Sequence, residues 1–148
     1  AFGTEHKKEI IQALEEAGIP YDSTLVYEGK VDYDSGIELA RKLCNENRDV
    51  TAVVATADIL AIGAMKGFYE QGVSVPNDIS IVGFDDLEIS KYLTPGLTTV
   101  RQEISQKGEK AVELLLDNIQ DADMTKREVI IPVSLSRRES VRDMRGEE

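Results

Sequence analysis

The run Ile79-Ser80-Ile81-Val82-Gly83-Phe84, followed at once by Asp85 and Asp86, constrains this chain more than any other stretch. Six residues of nearly continuous apolar character suit a strand covered on both faces of a parallel sheet. Pro76 and Asn77 mark the turn that feeds it. Gly83 permits a close approach near the end of the strand. In open α/β sheets ligands sit beyond the carboxyl ends of the strands, which is where Asp85 and Asp86 fall. On position alone, one of the pair serves as readily as a cap for the next short helix as for a ligand contact.

Thr4 to Ala17 predicts an amphipathic helix with Ile10, Leu14 and Ala17 on one stripe. Gly18 ends it and Pro20 prevents its resumption. Leu25 to Glu28 predicts a short strand, and Ser35 to Asn45 a helix that buries Gly36, Ala40, Leu43 and Cys44. Thr51 to Thr56 predicts a buried strand. Asp58 to Gln71 predicts a helix apolar around most of its girth. Ala61, Ala64, Met65 and Phe68 form one stripe, and Ile59, Ile62 and Tyr69 a second. One stripe can lie on the sheet; the other needs a partner.

This alternation predicts right-handed crossovers and an α/β, doubly wound parallel sheet. It begins with a helix, so a further strand is expected before Thr4. Leu97 to Gln102 reads as extended. Ile104 to Ile119 predicts a strongly amphipathic helix, with Ile104, Gly108, Ala111, Val112, Leu115 and Ile119 on one face. Gln120 to Lys126 predicts a polar loop, and Val129 to Leu135 a strand in which Pro132 demands a bulge, an edge or a crossing. The charged tail from Arg137 is expected to end frayed.

Composition narrows the function. The 148 residues are 41% hydrophobic and 30% charged, an ordinary globular balance with room for one real core. A net charge of −11 opposes phosphate backbones, so these residues are not expected to bind nucleic acid themselves. Cys44 is the single cysteine, which excludes an internal disulfide and fits a reducing compartment. No apolar run approaches the ~18 residues of a membrane span, and no signal peptide is visible. The chain opens on Ala1-Phe2-Gly3 without an initiating methionine, as a fragment would.

Catalytic chemistry finds no support. His6, the lone histidine, has no serine or cysteine at a telling spacing. Asp32-Tyr33-Asp34-Ser35-Gly36 resembles a calcium loop but carries its glycine one residue early and lacks the closing glutamate. A turn with a helix cap, Asp34 or Ser35, is the better reading. No phosphate-cradling glycine loop is present. A phospho-accepting receiver domain has similar length and acidic strand ends, but its acidic pair follows the first strand rather than a late one.

Several segments together resemble the LacI (lactose-repressor) family of bacterial transcription regulators, near the catabolite-control and purine-repressor branches. They are Ala13 to Pro20, Ala57 to Ala64, Val75 to Asp86 and Tyr92 to Gln102, with Arg137-Arg138-Glu139-Ser140 matching the family's closing strand. The central motif and Leu97-Thr98-Thr99 are specific in combination and weak alone. The resemblance implies a type I periplasmic-binding-protein-like fold whose two lobes close on an effector. In that reading residues 1–101 form the C-terminal lobe, 102–131 a crossover segment belonging to the N-terminal lobe, and 132–148 the return strand and tail.

Position by position, the resemblance implies that Asp85 grips the effector and that Gln102 lines the cleft at the crossover. Asp58 stands beside an effector position, with a helix cap as its other role. His6 takes the place of the family's effector-binding arginine, so recognition of an anionic effector by that arginine is not expected. Val31, with Tyr33 nearby, replaces an aromatic platform. The resemblance also implies a homodimer through Ile59, Ile62, Tyr69 and Leu93. It implies a sugar or sugar-phosphate effector, no cofactor, no metal and no enzymatic activity. DNA would be contacted only through an N-terminal helix-turn-helix that has no counterpart here. The location would be cytoplasmic, with no membrane partner. A transport sugar-binding protein shares the fold and is the alternative.

Overall fold

Four strands pair in the order β1-β2-β3-β4: β1 (Ala52–Val54), β2 (Ser80–Asp85), β3 (Thr98–Arg101) and β4 (Ser134–Ser136). This arrangement comes from a computed structural model that describes residues 3–46, 49–120 and 128–144, with the side chains of residues 3–7 and 120 outside the description. β1, β2 and β3 are parallel; β4 runs antiparallel to β3. The expected parallel sheet forms from β1 to β3, and the returning chain adds an antiparallel edge to it. Pro132 precedes β4, and residues 128–133 form no strand, so the strand expected from Val129 shrinks to the stretch past the proline.

The helices are α1 (Gly3–Glu16), α2 (Tyr33–Glu46), α3 (Asp58–Glu70) and α4 (Ile104–Gln120). The core joins Ala40 and Leu43 of α2, Ala61, Ala64 and Phe68 of α3, Ile79, Ile81 and Leu97. Phe68, Ile81 and Leu97 at its centre are almost wholly removed from water. Each large apolar side chain so buried contributes about 1.5–3 kcal/mol.

α2 and α3 meet through glycines. A Cβ on Gly36 would run into the Leu60 carbonyl, and one on Gly63 into that of Tyr33. At Gly67 it would lie 2.7 Å from the Ile37 carbonyl oxygen. Gly63→Ala is therefore expected to destabilise the chain by about 1–3 kcal/mol, although alanine is the better helix former by ~1 kcal/mol. A thermal melt matching the unsubstituted chain would mean that the two helices can separate at no cost.

Leu25 to Glu28 does not form the expected strand. A 3-10 turn covers Ser23–Leu25, capped by Asp22, whose carboxylate accepts the Thr24 N–H at 2.8 Å. The chain then runs extended through Val26. A groove of about 240 Å3, lined by Leu25, Tyr27, Val53, Val54 and Leu60 among others, lies beside β1. An extended segment becomes a strand only by pairing. β1 is correspondingly an edge rather than a buried strand, and Val54 is 60% exposed.

α4 carries its predicted stripe, but Ile104, Val112, Leu115 and Ile119 all stand in water, Ile119 at 71%. Residues 121–127 of the expected loop and 145–148 of the expected frayed tail lie outside the described residues.

Candidate functional site

β2 ends in an elbow. Asp85 has a φ of 120° and Asp86 a φ of 54°, both in the region that favours glycine. Two successive non-glycine residues there cost of the order of 1–3 kcal/mol each, so the surroundings must hold them. Asp85 lies opposite Arg101 in the β2–β3 ladder. Its Oδ1 accepts a hydrogen bond from Gln102 Nε2 at 2.8 Å, and Lys107 Nζ donates to Gln102 Oε1 at 3.1 Å. The elbow and the crossover after β3 thus meet through two polar side chains at the carboxyl ends of parallel strands.

Behind the elbow lies Asp58, in the first turn of α3 and fully buried. Its carboxylate accepts the Leu87 N–H at 2.8 Å, the Ser90 hydroxyl at 2.6 Å and the Thr99 hydroxyl at 2.5 Å. Thr99 Oγ1 in turn accepts the Asp86 N–H at 3.3 Å. A buried carboxylate survives only when hydrogen-bonded in this way. Gly83 makes the room, since a Cβ there would strike Asp58 Oδ1 and lie 3.0 Å from Leu97.

Asp86 faces the other way. Arg138 Nη2 donates to its Oδ1 at 2.6 Å and Ser136 Oγ to its Oδ2 at 2.8 Å. Partial burial pushes the Asp86 carboxyl up, but the hydrogen bonds from Arg138 and Ser136 and the charges of Arg138 and Arg101 outweigh it. The group is held below its ordinary 3.8. Arg138 also donates to the Leu97 carbonyl at 2.7 Å.

Beyond it Ser140, fully buried, bridges the feet of β2 and β3. Its hydroxyl donates to the Ile81 carbonyl and accepts the Thr98 N–H, and its carbonyl accepts the Ile81 N–H. Arg142 reaches the Asn77 carbonyl at 2.8 Å. Residues 138–142 are thus stitched to the sheet rather than trailing from it.

The structure brings Asp85 and Gln102 into contact. Asp58 lies behind the elbow but does not cap its helix. Ala57 is the N-cap of α3, and the Asp58 carboxylate is enclosed by three donors, so it presents no open face to a ligand. Val31 stands 62% exposed ahead of α2. His6 falls in α1 with its side chain outside the description.

Of the second stripe of α3, Ile59 is half-buried and Ile62, like Leu93, packs in part against the core. Tyr69 is its exposed member at 76%, with Lys66 Nζ 5.5 Å from the ring centroid. Sequence reasoning missed the roles of Thr99, Ser90 and Arg138. The available signal was two consecutive threonines opening a strand that follows a buried acid.

Parallel strands with a polar, strained elbow at their carboxyl ends, and α2 and α3 packed on one core, define an α/β sheet domain with a candidate ligand site at its strand ends. The periplasmic binding protein-like domain family matches residues 3–141. The HTH-type transcriptional regulator MalR of Clostridium butyricum is 40% identical over 129 residues, 87% of this chain and 38% of that protein. Among solved structures, a transcriptional regulator CelR–cellobiose complex superposes with a TM-score of 0.83 at 34% identity, covering 88% of this chain and 40% of that one. A LacI family transcriptional regulator from Enterococcus faecium with bound ribose gives 0.77 at 33% identity, covering 88% and 48%. The chain therefore belongs to the periplasmic binding protein-like domain family, and its relatives are LacI-family transcription regulators rather than enzymes. It spans about two-fifths of the length of the curated relatives it matches.

Proposed function

We propose that the chain is the C-terminal effector-binding and dimerisation part of a LacI-family transcriptional regulator and has no catalytic activity. The supporting observation is the Asp85–Gln102 pair at the carboxyl ends of β2 and β3, held on a strained elbow. Carboxylate and carboxamide together accept and donate to hydroxyls, the chemistry a sugar offers. Cellobiose and ribose occupy the two related regulators, which favours a sugar effector and a regulator over a transport protein.

α4 then belongs to a second lobe, which explains its bare stripe: several large aliphatics left in water are costly unless another surface covers them. The groove beside β1 receives a further strand of the lobe to which β1 itself belongs. Val31 and His6 are the further effector positions that the family resemblance supplies. Two copies pair through the second stripe of α3, Ile59, Ile62 and Tyr69, together with Leu93, self-complementary pairing being the commonest closed assembly.

Closure on effector shifts the population between states that hold DNA-reading heads well or badly, those heads lying outside these residues. Such a regulator works in the cytoplasm, and no helix among the described residues is long and apolar enough to cross a membrane. Calorimetric titration of the complete regulator with cellobiose, ribose and their phosphates tests the reading. Saturable binding of one of these is expected, together with an altered affinity for operator DNA. Binding without any change in operator affinity would turn the reading towards a transport protein.

A further inference from the structure

Two aspartates in succession at positive φ keep that shape only where surrounding bonds over-determine it. Several of those bonds lead back to one buried carboxylate. Asp58 accepts the N–H of Leu87, the residue that leaves the elbow. It also accepts the hydroxyl of Thr99, whose oxygen receives the Asp86 N–H. Its third donor, Ser90, fixes the 3-10 turn Glu88–Lys91 that follows. On the near side, the missing side chain of Gly83 leaves the space that the carboxylate fills.

We infer that Asp58 is a positioning residue of the effector site: it touches no ligand, and through Leu87 and Thr99 it keeps the Asp85–Asp86 elbow in the conformation that aims Asp85 at Gln102. The inference rests on the reading of Asp85 as an effector contact, but its test needs no ligand.

Nuclear magnetic resonance of the 148-residue chain reads the elbow directly. At a φ of 120° the coupling between the Asp85 amide and α protons is small, whereas in an extended strand it is large. Thr99→Val removes the hydroxyl at nearly constant shape. It is expected to move the Asp85 coupling towards the extended value and to speed Leu87 amide exchange by about tenfold, roughly the net worth of one hydrogen bond. Amides in α2 should stay within about twofold, since the effect is confined to the lost bond. Thr99→Ser keeps the hydroxyl and is expected to restore both signatures.

Should Thr99→Val not fold, Ser90→Ala removes a different donor to the same carboxylate and is read at the same two residues. An unchanged Asp85 coupling in the folded variant, or a Leu87 change no larger than that in α2, would overturn the positioning role. Asp85→Ala in the sugar titration tests the ligand contact separately, so normal binding there removes the effector reading and leaves the elbow result standing.

Discussion

Asp85→Ala is expected to weaken effector binding by the complete regulator by about 1.5–3 kcal/mol for each charge-assisted bond lost, roughly ten- to hundredfold per bond. Alanine at a φ of 120° also keeps the backbone strain, so lost affinity could be confused with lost folding. Asp85→Gly separates the two. It removes the same carboxylate at a backbone angle that glycine adopts freely, and is expected to lose the affinity without losing stability. Titration calorimetry and a melting curve on both variants decide the matter. Full affinity in a folded Asp85→Gly protein would sink the contact.

The second large effect is expected at Arg138. Truncation to alanine removes the donors to the Asp86 carboxylate and to the Leu97 carbonyl, and leaves that partly buried carboxylate with Ser136 as its side-chain donor among the described residues. Removing the charged donor from a partly buried carboxylate costs about 1.5–3 kcal/mol. Urea unfolding of Arg138→Ala should show a loss of that size, and Arg138→Ala with Asp86→Asn should recover part of it.

The same pair sets a pH dependence. The Asp86 carboxyl is depressed below 3.8 in the folded chain, so its contribution to stability is complete above 3.8. It is lost as the pH falls through the lowered folded value. In Asp86→Asn this part of the acid loss should vanish. An identical acid profile in the variant would mean that the ion pair contributes nothing to folding.

The elements with strong local patterns were legible from the residues alone. β2 is a short apolar run with a turn before it and acids after it, and it forms within one residue of its expected bounds at each end. α3 follows its two stripes, and α4 its single one. The carboxylate of Asp85 at a strand end was legible for the same reason, because strand direction and position follow from neighbouring residues.

The role of Asp58 was not legible. Its three donors lie 29, 32 and 41 residues away in the chain, and a side chain at the start of a helix reads locally as a cap. Arg138 reads as part of a solvated tail until Asp86, 52 residues earlier, is seen beside it.

The sequence by itself determined the helices, the central parallel strand and the polar strand end, because periodicity and turn chemistry act over a few residues. Only the tertiary structure decided that Leu25 to Glu28 forms no strand, that β4 runs antiparallel, that residues 138–142 are stitched to the sheet, and that Asp58 is enclosed rather than open. Each of these depends on which distant backbone or side-chain groups come within hydrogen-bond reach, and no local pattern carries that information.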